Sequence, residues 1–154
     1  MERTFSMIKP DGVQRRLVGR IVQRFEDKGL RIIGLKLIQM SQKQAETLYS
    51  IHKVRPFYAT LVKFVTSSPV VVMAVEGNQA VAVVRKLLGA TFGFNAEPGS
   101  IRGDYGSSKG FNLIHGSDAV EASAREIPIF FAENELVKYE HADNVWVLEE
   151  PERK

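Results

Sequence analysis

The chain has no cysteine among its 154 residues, so disulfides and thiolate metal ligands are excluded, although no cellular compartment is. It also lacks long apolar runs: the longest, residues 69–75, falls far short of the roughly 20 residues that span a bilayer. The first residues, Met-Glu-Arg-Thr-Phe, meet a strand pattern at once with no apolar signal region, and cytoplasm is the expected location. Neither G-x-x-x-x-G-K-[ST] nor a G-x-G-x-x-G after a strand is present. If phosphate is handled here, side chains must handle it. Histidine is scarce, with only His52, His115 and His141, and their spacing matches no H-x-x-x-H metal motif. The net charge of +3 suits an anionic ligand but is too small for a general nucleic-acid binder.

What is present is ordinary for a globular protein: 44% hydrophobic and 25% charged residues, with no repeat, linker or low-complexity tract. One domain over residues 1–154 is expected. Thr4 to Ile8 reads as a strand stopped by a Pro10-Asp11-Gly12 turn. From Val13 the spacing of Leu17, Val18, Ile21, Val22 and Phe25 predicts a helix capped by Gly29. Arg31 to Met40 alternates, with Ile33, Leu35 and Leu37 on one face of a strand. Ser41 caps a helix carrying Ala45, Leu48 and Tyr49, and Pro56 separates it from a short helical segment over residues 57–65.

The β-branched run after Pro69 predicts a central strand, followed by a helix over residues 79–88 that ends at Gly89. Ile101 and residues 113–115 read as short extended pieces, and residues 119–131 as a last helix. This order fits a ferredoxin-like α+β fold, a (βαβ)2 antiparallel four-stranded sheet with helices packed on it. Residues 91–111 stand apart. They show little periodicity and contain five glycines (Gly93, Gly99, Gly103, Gly106, Gly110), and a Gly-rich loop of that length is usually functional.

Polar residues gather at the predicted element ends: Lys9, Arg85, Thr91, Arg102, Asn112 and His115. Each has an ordinary explanation. Lys9 can be a solvated strand terminus, Arg85 a helix C-terminal charge, and Arg102 a partner for Asp104. Tyr49 can be core, Phe57 a helix-capping hydrophobe, and Glu126 a solvent-facing helix residue. In the segment FNLIHGSDA, His115 can be a satisfied half-buried imidazole, a metal ligand or a nucleophile. Composition and spacing leave these readings open.

Four segments taken together resemble the nucleoside diphosphate kinase family: TFSMIKPDGVQRRLVGRIVQRFEDKG, RPFYATLV, PGSIRGDYG and NLIHGSDA, in that order and at that family's spacing. The resemblance runs from Arg3 to about Trp146. It implies transfer of the γ-phosphoryl group of a nucleoside triphosphate, with ATP the usual donor, to a nucleoside diphosphate. It further implies two steps through a phosphohistidine at His115, attacking through Nδ1. Imidazole suits this, being nucleophilic and partly neutral near pH 7.

By the same resemblance Lys9, Arg85 and Arg102 form the cationic clamp and Thr91 adds a hydroxyl contact to phosphate. Tyr49 supports the transferring group, Asn112 with Lys9 holds the sugar, and Phe57 stacks on the base. Ser117 and Glu126 orient the histidine, while His52 and Arg55 match further phosphate-side positions. Mg2+ is implied on the nucleotide phosphates, with no metal site assigned to protein side chains. A homo-oligomer is implied, a hexamer rather than a tetramer because the tail continues past Trp146.

Some positions depart from the family pattern. Ala119 replaces a serine, Tyr58 a phenylalanine, and TFGFNAEPGS an Asn-Pro-rich stretch; Lys109 stands where an apolar residue closes the base slot. A rival reading is an RNA-binding module, because Lys109-Gly110-Phe111 begins like the RNP1 pattern. Asn112, Leu113, His115 and Gly116 then break it where small and aromatic residues are required. An inactive regulatory member would be expected to lack His115 or a clamp arginine, and neither is missing.

Overall fold

The computed structural model describes residues 1–153. Its four strands are β1 (Glu2–Ile8), β2 (Arg31–Ile38), β3 (Val70–Gly77) and β4 (Ile114–Gly116). They form one antiparallel sheet in the order β2-β3-β1-β4, the ferredoxin-like arrangement. The helices are α1 (Pro10–Gln14), α2 (Val18–Asp27), α3 (Gln42–Leu48), α4 (Tyr58–Val65), α5 (Ala80–Leu88), α6 (Ile101–Tyr105), α7 (Val120–Phe130) and α8 (Asn144–Val147). Among the described residues, no helix is long and apolar enough to cross a membrane.

Strand β3 shows why the sheet lies in the centre. Val70, Val72 and Ala74 enter one apolar cluster, with Phe5 and Met7 of β1 and residues of α3, α4 and α7. Val71, Met73 and Val75 enter a second, with Ile21 and Phe25 of α2 and Val84 and Leu88 of α5. Both faces are therefore covered, which explains the unbroken apolar run in a central strand. Each fully buried side chain of this kind contributes about 1.5–3 kcal/mol. The N-terminus of α3 is fixed as its sequence predicts: Ser41 Oγ accepts the Gln44 N–H and Gln44 reaches back to the Ser41 N–H.

Four local expectations are corrected. Pro10-Asp11-Gly12 is not a turn but the first turn of α1, where proline's missing N–H costs nothing. The helix expected from Val13 is broken, because Arg16 sits at φ 60° between α1 and α2. Ile101 is not extended. It begins α6, capped by Ser100 Oγ on the Gly103 N–H, so the Gly-rich stretch holds a helix and a 3-10 turn (Gly93–Asn95). Finally, an irregularity between Ile32 and Gly34 splits the face predicted for β2. Ile33 is buried, whereas Leu35 and Leu37 are 54% and 67% exposed on the free edge of the sheet. A bulge adds one residue and so reverses which side chains face inward beyond it.

Candidate active site

The last residues of β1 and β4 and the chain beyond them bring the polar residues together. His115 lies on β4, an edge strand, opposite Met7 of β1. Its ring sits 5.8 Å from Phe5 and 5.8 Å edge-on from Tyr49, and the side chain keeps 19% of its surface exposed. Imidazole Nε2 lies 2.9 Å from Glu126 Oε2, which also accepts the Ser117 hydroxyl at 2.7 Å. Glu126 is 3% exposed, so its solvent-facing alternative fails: α7 turns this carboxylate onto the histidine. Ser117 lies in the connection between β4 and α7. The Ser6 hydroxyl donates to the His115 carbonyl at 2.8 Å and fixes the backbone from the other side.

Those bonds assign the tautomer. A carboxylate only accepts, so the imidazole proton resides on Nε2 and Nδ1 carries the free lone pair. Burial lowers the pKa of His115 against the opposing pull of Glu126, which favours that neutral form. Burial pushes Glu126 upward, but hydrogen bonds from His115 and Ser117 outweigh it and leave the carboxylate more acidic than usual.

Beside the histidine, Lys9 Nζ donates to Asn112 Oδ1 at 2.8 Å, and Asn112 Nδ2 donates to the Thr91 carbonyl at 2.9 Å. Thr91 thus enters through its backbone, while its side chain stays at the surface. Lys9 is buried, and burial with the nearby Arg102 charge lowers its pKa to about 8 against the opposing pull of Asp11. Arg102 is only 3% exposed and is not paired with Asp104, which instead meets Arg24. Its guanidinium donates to the carbonyls of Asn112 (3.2 Å), Gly89 (3.0 Å) and Ile114 (2.6 Å). Three of five N–H donors are thereby used in holding backbone, leaving two for a ligand.

Arg85 is exposed, with Nη1 3.4 Å from the Gly116 carbonyl, one residue beyond His115. A row of rings leads outward from the histidine, through Tyr49 and His52 (6.4 Å) to Phe57 (5.5 Å from His52). Phe57 occupies the N-cap position of α4 and is 48% exposed. Arg55 lies at the surface, its backbone N–H on the His52 carbonyl. The Tyr49 hydroxyl is buried without a partner, and burial pushes its pKa upward. A buried, unpaired hydroxyl whose charged neighbours are Glu126 and Arg102 is ready to bond a ligand oxygen. All twelve residues singled out in the sequence therefore lie on one connected set of elements.

Sequence reasoning missed two members. One is Ser6. The other is Asp11, whose Oδ2 accepts the Leu113 N–H at 3.0 Å while its buried Oδ1 has no partner. Leu113 has φ 72°, and Ile114 N–H bonds the Asn112 carbonyl across it at 2.8 Å, forming a γ-turn with positive φ. Such a backbone costs about 1–3 kcal/mol and persists only where its surroundings enforce it. Gly12 permits the close approach: a Cβ there would stand 3.1 Å from the Leu113 carbonyl and 2.6 Å from Ile8. No local signal marks the Asp11 bond, because its partner lies 102 residues away.

Lys109, where the family pattern has an apolar residue, is exposed in the turn between Ser108 and Phe111. The Phe111 ring lies 4.9 Å from Phe64 of α4. Among the described residues, no cluster of three or more histidine or carboxylate side chains could hold a metal. The cations, the buried hydroxyl and the free imidazole nitrogen instead suit a polyphosphate brought up to a nucleophile.

Comparison with known proteins agrees with this chemistry. A family model described as nucleoside diphosphate kinase matches residues 2–136. A curated nucleoside diphosphate kinase of Crocosphaera subtropica is 56% identical over 149 residues, covering 97% of this chain and 100% of the relative. One of Oceanobacillus iheyensis is 54% identical over 147 residues, covering 96% and 99%. Among solved structures, a halophilic nucleoside diphosphate kinase of Halobacterium salinarum in complex with CDP superposes with a TM-score of 0.93. It is 49% identical, with 96% of this chain and 99% of that one covered. A family protein of Babesia bovis gives 0.92 at 40% identity, covering 96% and 100%.

Proposed function

Given that the chain belongs to the nucleoside diphosphate kinase family and is a phosphotransferase of that class, we propose that His115 carries the phosphoryl group between its two substrates. The observation that supports this most is the pairing of Nε2 with Glu126, which leaves Nδ1 as the nucleophilic nitrogen. In the first half-reaction the Nδ1 lone pair attacks the γ-phosphorus of a nucleoside triphosphate. An N–P bond forms, the P–O bond to the β-phosphate breaks, and the diphosphate leaves with that electron pair. The imidazolium formed keeps its Nε2 proton against Glu126, whose negative charge stabilises it. In the second half-reaction a different diphosphate attacks the phosphorus, the N–P bond breaks, and neutral imidazole returns. One site serves both substrates in turn, so kinetics are ping-pong.

The remaining residues position charge rather than move protons. Lys9, Arg85 and the two free donors of Arg102 meet the phosphate oxygens; Thr91 and the Tyr49 hydroxyl add neutral donors. Asn112 with Lys9 holds the sugar hydroxyls. Phe57 offers an exposed ring to the base, and stacking on a π-face discriminates weakly among bases. His52 and Arg55, beside Phe57, extend the phosphate side. The relative crystallised with CDP supports a nucleotide at this site. The substrate is the Mg2+ complex of the nucleotide, the ion carried on phosphate oxygens whose charge it offsets. Residues 1–154 act as one domain, working in the cytoplasm where nucleotides are abundant; cell fractionation tests the location.

Incubation with γ-labelled ATP should give one label per chain that is lost in acid and passes to added nucleoside diphosphate. An acid-stable label, or none, would refute the phosphohistidine. The pH profile is expected to be bell-shaped. kcat/KM should fall below the lowered His115 pKa as the nucleophile is protonated, and fall again near pH 8 as Lys9 loses its charge. Bound phosphate favours charged Lys9, so the alkaline limb of kcat alone should lie higher. An alkaline limb of kcat/KM at the ordinary lysine value of 10.5 would contradict the buried ammonium.

A homo-oligomer, and a hexamer within that class, completes the proposal. Its support is the free edge of β2 with Leu35 and Leu37 outward, together with Trp146, which is 90% exposed. Open edges with apolar side chains invite pairing with another copy. Light scattering should give six times the chain mass, and Leu35→Asp with Leu37→Asp should reduce it. A monomer in the parent protein would overturn the assembly.

A further inference from the structure

We propose that Asp11 is a positioning residue for phosphoryl transfer, holding the γ-turn that separates Asn112 from His115. The inference rests on His115 as the phosphoryl acceptor. Asn112, which bonds Lys9, and His115, the nucleophile, are only three residues apart, and Leu113 between them has φ 72°. A leucine does not hold that conformation unaided. Arg102 binds the carbonyls on both sides of the turn, at Asn112 and Ile114. At Leu113 itself two groups act: the Lys9 N–H donates to its carbonyl at 2.8 Å, and Asp11 Oδ2 accepts its N–H at 3.0 Å. Leu113 is fully buried, so without Asp11 that N–H has no water to turn to.

The residues that build this cradle are contiguous. Lys9 ends β1, Pro10 starts α1 at once, Asp11 falls in its first turn, and Gly12 leaves room for the Leu113 carbonyl. The carboxylate is well suited because it lies beside Lys9, where its charge favours the ammonium. Burial raises its pKa, while the Leu113 N–H and the Lys9 ammonium oppose the rise. Its second oxygen is buried, and the charged group that acts on the carboxylate is the Lys9 ammonium, whose own pKa the Asp11 charge in turn raises. Asp11 therefore acts twice, through a hydrogen bond on the turn and through its charge on Lys9.

Two substitutions separate these effects. Asp11→Asn keeps an acceptor for the Leu113 N–H and removes the charge; Asp11→Ala removes both. Single-turnover labelling by γ-labelled ATP at saturation should slow by at least about tenfold in Asp11→Ala, since small misplacements of reacting groups carry factors of that order. The nucleotide dissociation constant should move by less than about threefold, because the loss falls on alignment rather than on uniform binding. Asp11→Asn should slow labelling measurably less than Asp11→Ala at pH 7, with the alkaline limb of kcat/KM moved below its parental position. In protein labelled with 15N-leucine, the Leu113 amide should lose its hydrogen-exchange protection in Asp11→Ala and retain it in Asp11→Asn.

Parental labelling by Asp11→Ala, or equal slowing in both variants, would overturn the positioning role. If Asp11→Ala does not fold, Asp11→Glu carries the test, because it keeps the charge but displaces the acceptor by one methylene. Slowed labelling then supports the role and parental labelling refutes it. A parent protein that takes up no acid-labile phosphate removes the His115 reading and this inference with it. A parent that labels normally alongside an equally fast Asp11→Ala removes this inference alone.

Discussion

His115→Ala should remain folded, take up no acid-labile phosphate from ATP, and lose turnover by at least about four orders of magnitude. The size of the effect follows from the lack of any substitute. His52 is the nearest other imidazole, but Tyr49 stands between it and the position that His115 vacates. Direct attack by the diphosphate would bring two polyanions together without the relay that splits the transfer. Folding should survive, because the Glu126 carboxylate keeps the Ser117 hydroxyl at 2.7 Å when the imidazole is gone. Losing one partner of a buried carboxylate costs about 1–3 kcal/mol, which thermal denaturation followed by circular dichroism will register. Undiminished labelling of this variant would place the phosphoryl group elsewhere.

Arg102→Ala should fail in two ways at once. Removing a charge-stabilising donor from a phosphoryl site costs about 10²–10³ in kcat. This guanidinium also holds the carbonyls of Asn112, Gly89 and Ile114 inside the protein, so stability should fall by a few kcal/mol, on the order of 1–3 per carbonyl left unpaired. The two losses can be read separately, as kcat at a temperature where the variant is folded and as the shift in Tm. Arg102→Lys should recover part of the rate but little of the stability, because an ammonium cannot span three carbonyls as a planar fork does. An unchanged Tm in Arg102→Ala would mean that the guanidinium serves the ligand alone.

This double duty shows where sequence reading stops. The sheet was legible because β3 is an unbroken apolar run and the hydrophobic spacing of the flanking helices is regular. The α3 cap was legible because a capping box is local, four residues long. Lys9, Asn112 and His115 stood out as chemistry at predicted element ends, and the family motifs gave them roles. What stayed hidden depends on contacts between distant segments. Glu126 looks like a surface residue until α7 packs on β1 and turns it onto a histidine eleven positions earlier. Arg102 looks like a partner for Asp104 until Arg24, 80 residues away in sequence, takes that carboxylate. The Ile33 bulge has no signature either; alternation in the sequence continues through it, and only pairing with β3 reveals the shifted phase.

The strand order carries a consequence for how copies of the enzyme work together. His115 is on one outer strand of the sheet and the free Leu35–Leu37 edge is on the other, with two strands between them. At about 4.8 Å per strand, the nucleophile stands some 14 Å from the edge that would join a neighbour. Two copies meeting along β2 would send their histidines to opposite ends of a shared sheet. Neither would lend a side chain to the other's nucleotide. Each subunit of such an assembly should then turn over independently, with hyperbolic saturation, and a dead subunit should subtract only its own share of the rate.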